Sequence, residues 1–279
     1  MVSLRMVEIA VENLYFRYPE ALNYALRNIS LRIGEGESVA ILGENGAGKT
    51  TLAKNLNGLL KPTEGSVKID GVDTRNLSVA KIARKIGFVN HNPEHQFFAE
   101  KVEDEVKFGL RNFGFSEEEV EKTVQEVLSV FGLDEYRYKN PFQLSGGEKK
   151  RLAIASIMAW RPEALIVDEP TIGMDYAQKL NIRKVLRSLV SEGRCVIVIT
   201  HDVDFAASIC RRAIILSRGE VIGDGGLREL LSDEELVEKA SLRKPFLLEL
   251  EEETGITGLE EDFDFISSIL AEAFKKCRS

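Results

Sequence analysis

Gly43-Glu44-Asn45-Gly46-Ala47-Gly48-Lys49-Thr50-Thr51 is the stretch that decides how this 279-residue chain folds. It has the form G-x-x-x-x-G-K-T, a phosphate-binding loop. The apolar run Ser38-Val39-Ala40-Ile41-Leu42 before it reads as a buried strand. Thr51-Leu52-Ala53-Lys54-Asn55-Leu56 after it reads as the start of a helix. The glycines permit a tight turn in which consecutive N–H groups converge on an anion. The helix adds the positive end of its dipole to the same spot. In this frame Lys49 reaches the β- and γ-phosphates and the Thr50 hydroxyl holds Mg²⁺.

Composition narrows the class. The chain is long enough to bury a large core in one or two domains. No apolar run approaches the roughly 20 residues of a membrane helix. Glu8, Glu12 and Asn13 interrupt the apolar residues near the N-terminus, which removes a signal-peptide pattern. The chain is therefore expected to be neither secreted nor membrane-spanning. The net charge of −8 argues against nucleic acid as the main partner. Cys195, Cys210 and Cys277 stand apart, without a C-x-x-C, and read as reduced thiols, Cys195 within a strand.

Around the loop the chain reads as follows. Val7, Ile9 and Val11, and later Leu31 and Ile33, alternate with polar residues as strands of an antiparallel sheet. Between them Tyr18, just ahead of Pro19, fits either an aromatic that stacks on an adenine or a core aromatic. Ser66 to Gly71 is a short strand and turn. Lys85 to Val89 is a strand that enters the polar loop Asn90-His91-Asn92-Pro93-Glu94-His95-Gln96. A helical stretch follows: Glu103 to Leu110, then a helix opened by the capping box at Ser116–Glu119 and closed by Gly132. In Leu144-Ser145-Gly146-Gly147-Glu148-Lys149-Lys150-Arg151 a small flexible loop leads into a helix from Glu148 to Trp160. Its free N–H groups are a second anion site.

Two more buried strands complete the pattern. Ala164-Leu165-Ile166-Val167 ends in Asp168 and Glu169, at the strand edge where open α/β sheets place ligands. There Asp168 orients Mg²⁺ and Glu169 polarises an attacking water. Cys195 to Ile199 ends in Thr200-His201-Asp202, with His201 placed to donate to a γ-phosphate. Ala213 to Ile222 reads as a hairpin. Beyond Gly225, Ser232 to Glu235 caps a short helix, Pro245 opens an acidic one, and Thr254 to Gly258 breaks it. A last helix carries Phe263, Ile266, Ile269, Leu270, Ala273 and Phe274 on one face, to be covered by the chain's own core or by a partner.

The order Tyr18, GENGAGKT, LSGGE, LIVDEP, Gly173-Met174-Asp175 and Thr200-His201-Asp202 resembles the ATP-binding subunits of ABC transporters over about residues 7–223. The resemblance implies an α/β P-loop NTPase: a mixed sheet core, an antiparallel β subdomain, a helical subdomain at about 97–162 and a small C-terminal helical extension. It divides the chain into an ATPase domain, 1–224, and the extension, 225–279. It implies ATP and Mg²⁺ as ligands, sandwiched between two subunits so that the phosphate loop of one faces the signature loop of the other. Carried over, Tyr18 stacks on adenine, Gly43 to Thr51 bind phosphate, and Leu144 to Glu148 form the signature. Asp168 and Glu169 are the metal-orienting and catalytic carboxylates, Asp175 the D-loop aspartate and His201 the switch histidine.

The strings Ile86 to Phe98 and Val102 to Gly109 look like the ATPases of energy-coupling factor transporters, which import vitamins, cobalt and nickel. That likeness implies a second ATPase, identical or paralogous, a transmembrane coupling subunit and a small substrate-capture membrane protein. It places the chain peripherally on the cytoplasmic face of the cell membrane. Its C-terminal extension would help two subunits dimerise. The rival readings are an ATPase of another ABC transporter class and a soluble ABC protein outside transport.

Three positions depart from the family pattern. His91 stands where a metal-touching glutamine is usual, with Gln96 the alternative in register. A histidine side chain changes charge near about pH 6.5, so metal coupling is expected to be weaker or pH-dependent. Glu148 replaces the commoner glutamine of the signature, and Tyr176 replaces the proline that often follows the aspartate.

Overall fold

A computed structural model describes residues 7–255. Its centre is a sheet whose inner strands are apolar along most of their length. β3 (Ser38–Leu42), β7 (Ala164–Asp168) and β8 (Cys195–Ile199) are buried at every position. Side chains of a strand alternate between its two faces, so such a strand needs cover on both. The cover is two separate cores. Ala40, Leu42, Leu165, Val167, Val196 and Val198 join a core packed under helices. Val39, Ile41, Ile166, Ile197 and Ile199 join a second core under an antiparallel sheet.

That antiparallel sheet pairs β1 (Ile9–Phe16) with β2 (Leu26–Ile33) and with β4 (Glu64–Ile69), and β4 with β5 (Val72–Asp73). β1 runs further than the break in alternation at Asn13 suggests. Register shifts after Val11, with Asn13 at a φ of 46°, return Leu14 and Phe16 to the core face. The central sheet has the order β10-β9-β3-β8-β7-β6 among the described residues, with β6 (Ile86–Val89), β9 (Arg212–Ser217) and β10 (Glu220–Gly226). It is parallel except for the β9–β10 hairpin.

α1 (Lys49–Leu56), which follows the phosphate loop, and α2 (Val79–Lys85), which enters β6, face the second core, where Leu52, Ala53, Leu56 and Ile82 pack with the antiparallel sheet. The segment after β6 supplies α3 (Val102–Asn112), α4 (Glu117–Val130) and α5 (Gly146–Met158). α4 is opened by the expected Ser116–Glu119 capping box and buries Val120, Val124 and Leu128. α5 begins earlier than its sequence suggests. Ser145 is the N-cap and both glycines lie inside the first turn, because the Glu148 carboxylate closes a capping box with Ser145.

The chain closes with α6 (Tyr176–Ser191), α7 (Val203–Ala207), α8 (Leu227–Ser232), α9 (Glu234–Lys239) and α10 (Phe246–Thr254). α8 to α10 bury Leu227, Leu231, Val237, Ala240 and Leu248 in the same core as the helical segment. Asp233 caps α9, and Gly255 ends α10 in the left-handed conformation. The helix expected over Phe263 to Phe274, and Cys277, lie outside the described residues. Among the described residues no helix is long and apolar enough to cross a membrane.

Cys195 and Cys210 are free and buried. Burial pushes the Cys195 thiol up to about 12 and the Cys210 thiol higher still. Mass spectrometry after brief alkylation at about pH 8 is expected to find both unlabelled in the native chain and labelled in denaturant. Native labelling of Cys195 would contradict a doubly covered β8.

Candidate active site

Parallel pairing sets three strand ends level. Ile41 lies opposite Ile199, and Ile199 opposite Asp168. The next residues of each strand therefore leave the sheet together: Leu42-Gly43 into the phosphate loop, Glu169 after β7, and Thr200-His201 after β8. They open into a cleft of about 760 Å³. Its walls include Asn45, Gly46, Gly48, Lys49, Thr50 and Thr51 from the loop, and Asp168, Glu169 and His201 from the other two ends.

The phosphate loop turns on its first glycine. Gly43 has a φ of 142°, and a Cβ there would stand 2.1 Å from the Leu216 carbonyl oxygen. Gly43, Glu44 and Ala47 serve through the backbone. Ala47 accepts from the Gly219 N–H at 3.0 Å, tying the loop to the β9–β10 hairpin. The buried Lys49 ammonium donates to the carbonyls of Gly43 (2.7 Å) and Glu44 (2.9 Å). Burial pulls its pKa down, while the charges of Glu169, Asp168 and Glu44 oppose that shift.

The carboxylates are separated by role in their contacts. Asp168 accepts from the Thr50 hydroxyl at 2.7 Å. Burial raises its pKa against the pull of that bond and of His91 and Lys150. Glu169 sits in the left-handed region at a φ of 47°, a strained conformation for a side chain of its size. Its N–H donates to the Ile199 carbonyl at 2.8 Å, which holds the strain in place. One carboxylate oxygen accepts from Thr200 Oγ1 at 3.1 Å, and the other lies 2.9 Å from His201 Nδ1. A fixed acceptor is thereby presented to the cleft, the disposition a base for water needs.

Thr50 Oγ1 and Asp168 Oδ2 form a small, hard oxygen set on one wall. Mg²⁺ takes few protein ligands and keeps water and phosphate oxygens, so this donor pair suits it. His91 is on the cleft wall, facing the same carboxylate. Gln96 is not: its Oε1 accepts from the Asn90 N–H at 2.5 Å and the side chain lines a groove outside the cleft. Of the two candidates in register, His91 and not Gln96 stands on the cleft wall. Tyr18 stands at the rim, 41% exposed, edge-on to Phe16, with its hydroxyl 3.1 Å from Thr51 Oγ1. An exposed ring beside a nucleotide-sized cleft is available for stacking, which a core aromatic is not.

Ser145, Gly146, Gly147, Glu148 and Asp175 do not line this cleft. They form a second cluster. Asp175 caps α6 through Gln178, accepting from its N–H at 2.8 Å. The Gln178 amide lies against Gly147, where a Cβ would come within 2.3 Å of its oxygen. A larger residue at Gly147 would have to push that amide aside. Ser145, Gly146 and Asp175 are exposed. Glu148 is spent on the Ser145 N–H at 2.7 Å, a task for which the oxygen of a glutamine serves equally.

Sequence reasoning passed over three groups. Thr200 orients Glu169. Arg218 and Gly219 reach the cleft from the β9–β10 turn. Lys150, 2% exposed, donates to the carbonyls of Asn90, His91 and Asp168, each at 3.0 Å. Burial lowers its pKa to about 8, opposed by the charges of Asp168 and Glu169. Its one sequence signal was a lysine immediately inside a glycine-led helix, a place where exposure is the usual outcome.

Known proteins resemble this chain in sequence and in fold. The ABC transporter family profile matches residues 26–172. The energy-coupling factor transporter ATP-binding protein EcfA of Methanothermobacter thermautotrophicus is 42% identical over 256 residues, 91% of this chain and 82% of that protein. Among solved structures, cbiO1 from Clostridium perfringens, part of the ABC transporter complex cbiONQ, superposes with a TM-score of 0.72 at 36% identity, covering 88% of this chain and 98% of that one. The ATP-binding cassette MJ0796, dimeric and bound to ADP and Pi in a post-hydrolysis state, gives 0.72 at 33% identity, over 79% and 99%.

His91→Gln, which puts a neutral oxygen acceptor at the cleft wall, is expected to lower the Mg²⁺ concentration for half-maximal hydrolysis. A variant with the wild-type Mg²⁺ curve would remove His91 from the metal side.

Proposed function

This chain belongs to the ABC transporter family as an ATPase subunit of the energy-coupling factor type, and from that premise we propose that it powers uptake of a vitamin or of cobalt or nickel ions through membrane partners. The observation that carries the reading is the level ending of three buried strands on one cleft, with Lys49, Thr50, Asp168, Glu169 and His201 around it. Water attacks the γ-phosphate in line. Glu169, oriented by Thr200 and His201, takes up its proton, and Lys49 with the loop N–H groups stabilises the charge that develops. Mg²⁺ bound with ATP would be held by Thr50 and Asp168, with His91 beside them, and neutralises phosphate charge.

One chain supplies two incomplete halves. The cleft holds the phosphate loop and carboxylates, while the exposed Ser145–Gly146 helix start and Asp175 belong to the other cluster. We take this as support for a sandwich in which each chain's signature covers the other's ATP. The transmembrane coupling subunit is assigned to a groove of about 820 Å³ walled by Leu59, Val79, Phe98, Phe108 and Trp160. Leu59, Val79, Phe98 and Phe108 are exposed there, an apolar set gathered on one groove. A further small membrane protein would capture the substrate. The chain would then sit on the cytoplasmic face of the membrane.

Light scattering with Mg²⁺ATP tests the reading. Glu169→Gln is expected to double in mass and to hydrolyse ATP at least about 100-fold more slowly than wild type. An unchanged rate would remove Glu169 from the base role. A chain that binds ATP but stays monomeric would place the second half-site on a paralogous ATPase. Phe98→Asp with Phe108→Asp is expected to release the chain from the membrane fraction of its own cells while ATP binding is kept. Retention there would move the docking site elsewhere.

A further inference from the structure

β6 and β7 pair only as far as Val89 opposite Val167. Beyond that point β6 turns away as the Asn90–His91 loop, while β7 continues by one residue to Asp168. Parting strands leave carbonyls without ladder partners. Three of them, from Asn90, His91 and Asp168, converge on the Lys150 ammonium at 3.0 Å each. An ammonium has three N–H donors, and all three are used. The neighbouring Lys149 holds the same loop further along, through Glu94 at 2.6 Å.

The lysines are the fourth and fifth residues of α5, whose N-terminus is the Ser145–Gly147 signature. The same loop reaches the apolar groove through Asn90 and Gln96. Three parts of the molecule therefore meet at one nitrogen: the signature helix, the loop between groove and cleft, and the strand end that carries Asp168.

Resting on the ATPase reading above, we propose that Lys150 is a positioning residue of the hydrolytic reaction: from the signature helix it holds His91 beside Asp168, so that the metal side of the cleft is assembled only when that helix is seated. The side chain touches neither nucleotide-binding loop nor the Glu169 carboxylate in its direct contacts. Its effect passes through the backbone of His91 and Asp168. Metal-free ATP rests on the phosphate loop and Tyr18, which Lys150 does not contact. The step that depends on Lys150 is the gain in affinity and rate that Mg²⁺ brings.

The test uses the full chain and a fluorescent ATP analogue, with EDTA and with Mg²⁺. Lys150→Met keeps the stem and removes the donors. It is expected to bind the analogue as wild type does in EDTA, and to lose at least about 10-fold of the tightening that Mg²⁺ gives. At saturating Mg²⁺, kcat is expected to fall about 10- to 100-fold, with KM for ATP rising in step with the lost tightening. Lys150→Gln, which restores two donors without the charge, is expected to recover part of both. Leu152→Ala in the same helix is the control, expected to lower the melting temperature while leaving the Mg²⁺ effect intact. Wild-type Mg²⁺ tightening in Lys150→Met would overturn the proposal. So would a loss of metal-free binding that tracks melting temperature alike in Lys150→Met and Leu152→Ala, since that is a structural role only. If Lys150→Met does not fold, the same measures on Lys150→Gln decide. A wild-type chain that binds the analogue without any Mg²⁺ effect would overturn the ATPase reading together with this one.

Discussion

Everything chemical in this molecule depends on the register of three parallel strands buried on both faces. A parallel ladder fixes each residue against its neighbour, and a slip of one residue would turn every side chain to the wrong core. The two cores accept different residues of the same strand: Val39 and Ile41 on one side, Ala40 and Leu42 on the other. Register is therefore set by packing on both faces at once. Because Ile41, Ile199 and Asp168 are level, the phosphate loop, Glu169 and His201 need no long side chains to meet.

The strand ends also store what the chemistry uses. Glu169 is held in the left-handed region by its bond to Ile199, and its carboxylate is clamped by Thr200 and His201. Such strain persists only where the surroundings over-determine it, which here they do from β8. Across the cleft, Asp168 is kept by Thr50 on its side chain and by Lys150 on its carbonyl. The two carboxylates are adjacent in sequence but face different partners. Glu169 meets Thr200 and His201, while Asp168 meets Thr50.

Much of this was legible in the residues. All-apolar runs ending in polar groups announced doubly covered strands and put Gly43, Asp168, Glu169 and His201 at one sheet edge. Ser116–Glu119 announced a capped helix because its interaction is local. The signal weakened where a contact joins distant segments. The bulge at Asn13 was hidden because an extra residue breaks alternation without ending a strand. The start of α5 was placed too late because Gly146 and Gly147 read as loop until the Ser145–Glu148 box is seen. Gln96 and His91 compete for one place in the sequence, and only the Asn90–Gln96 bond takes Gln96 out of the cleft.

The sequence by itself determined the elements and the chemistry they carry, because periodicity, capping and the phosphate loop are properties of neighbouring residues. It determined that a phosphate site, two carboxylates and a histidine would share an edge. Only the tertiary structure decided which groups act on one another. Lys150 sits 60 residues from Asn90 and 18 from Asp168, and its burial against both follows from where β6 and β7 part. The separation of the signature cluster from the cleft was likewise a tertiary decision. There the start of α5 meets the start of α6 at Gly147 and Gln178, a contact that no spacing along the chain encodes.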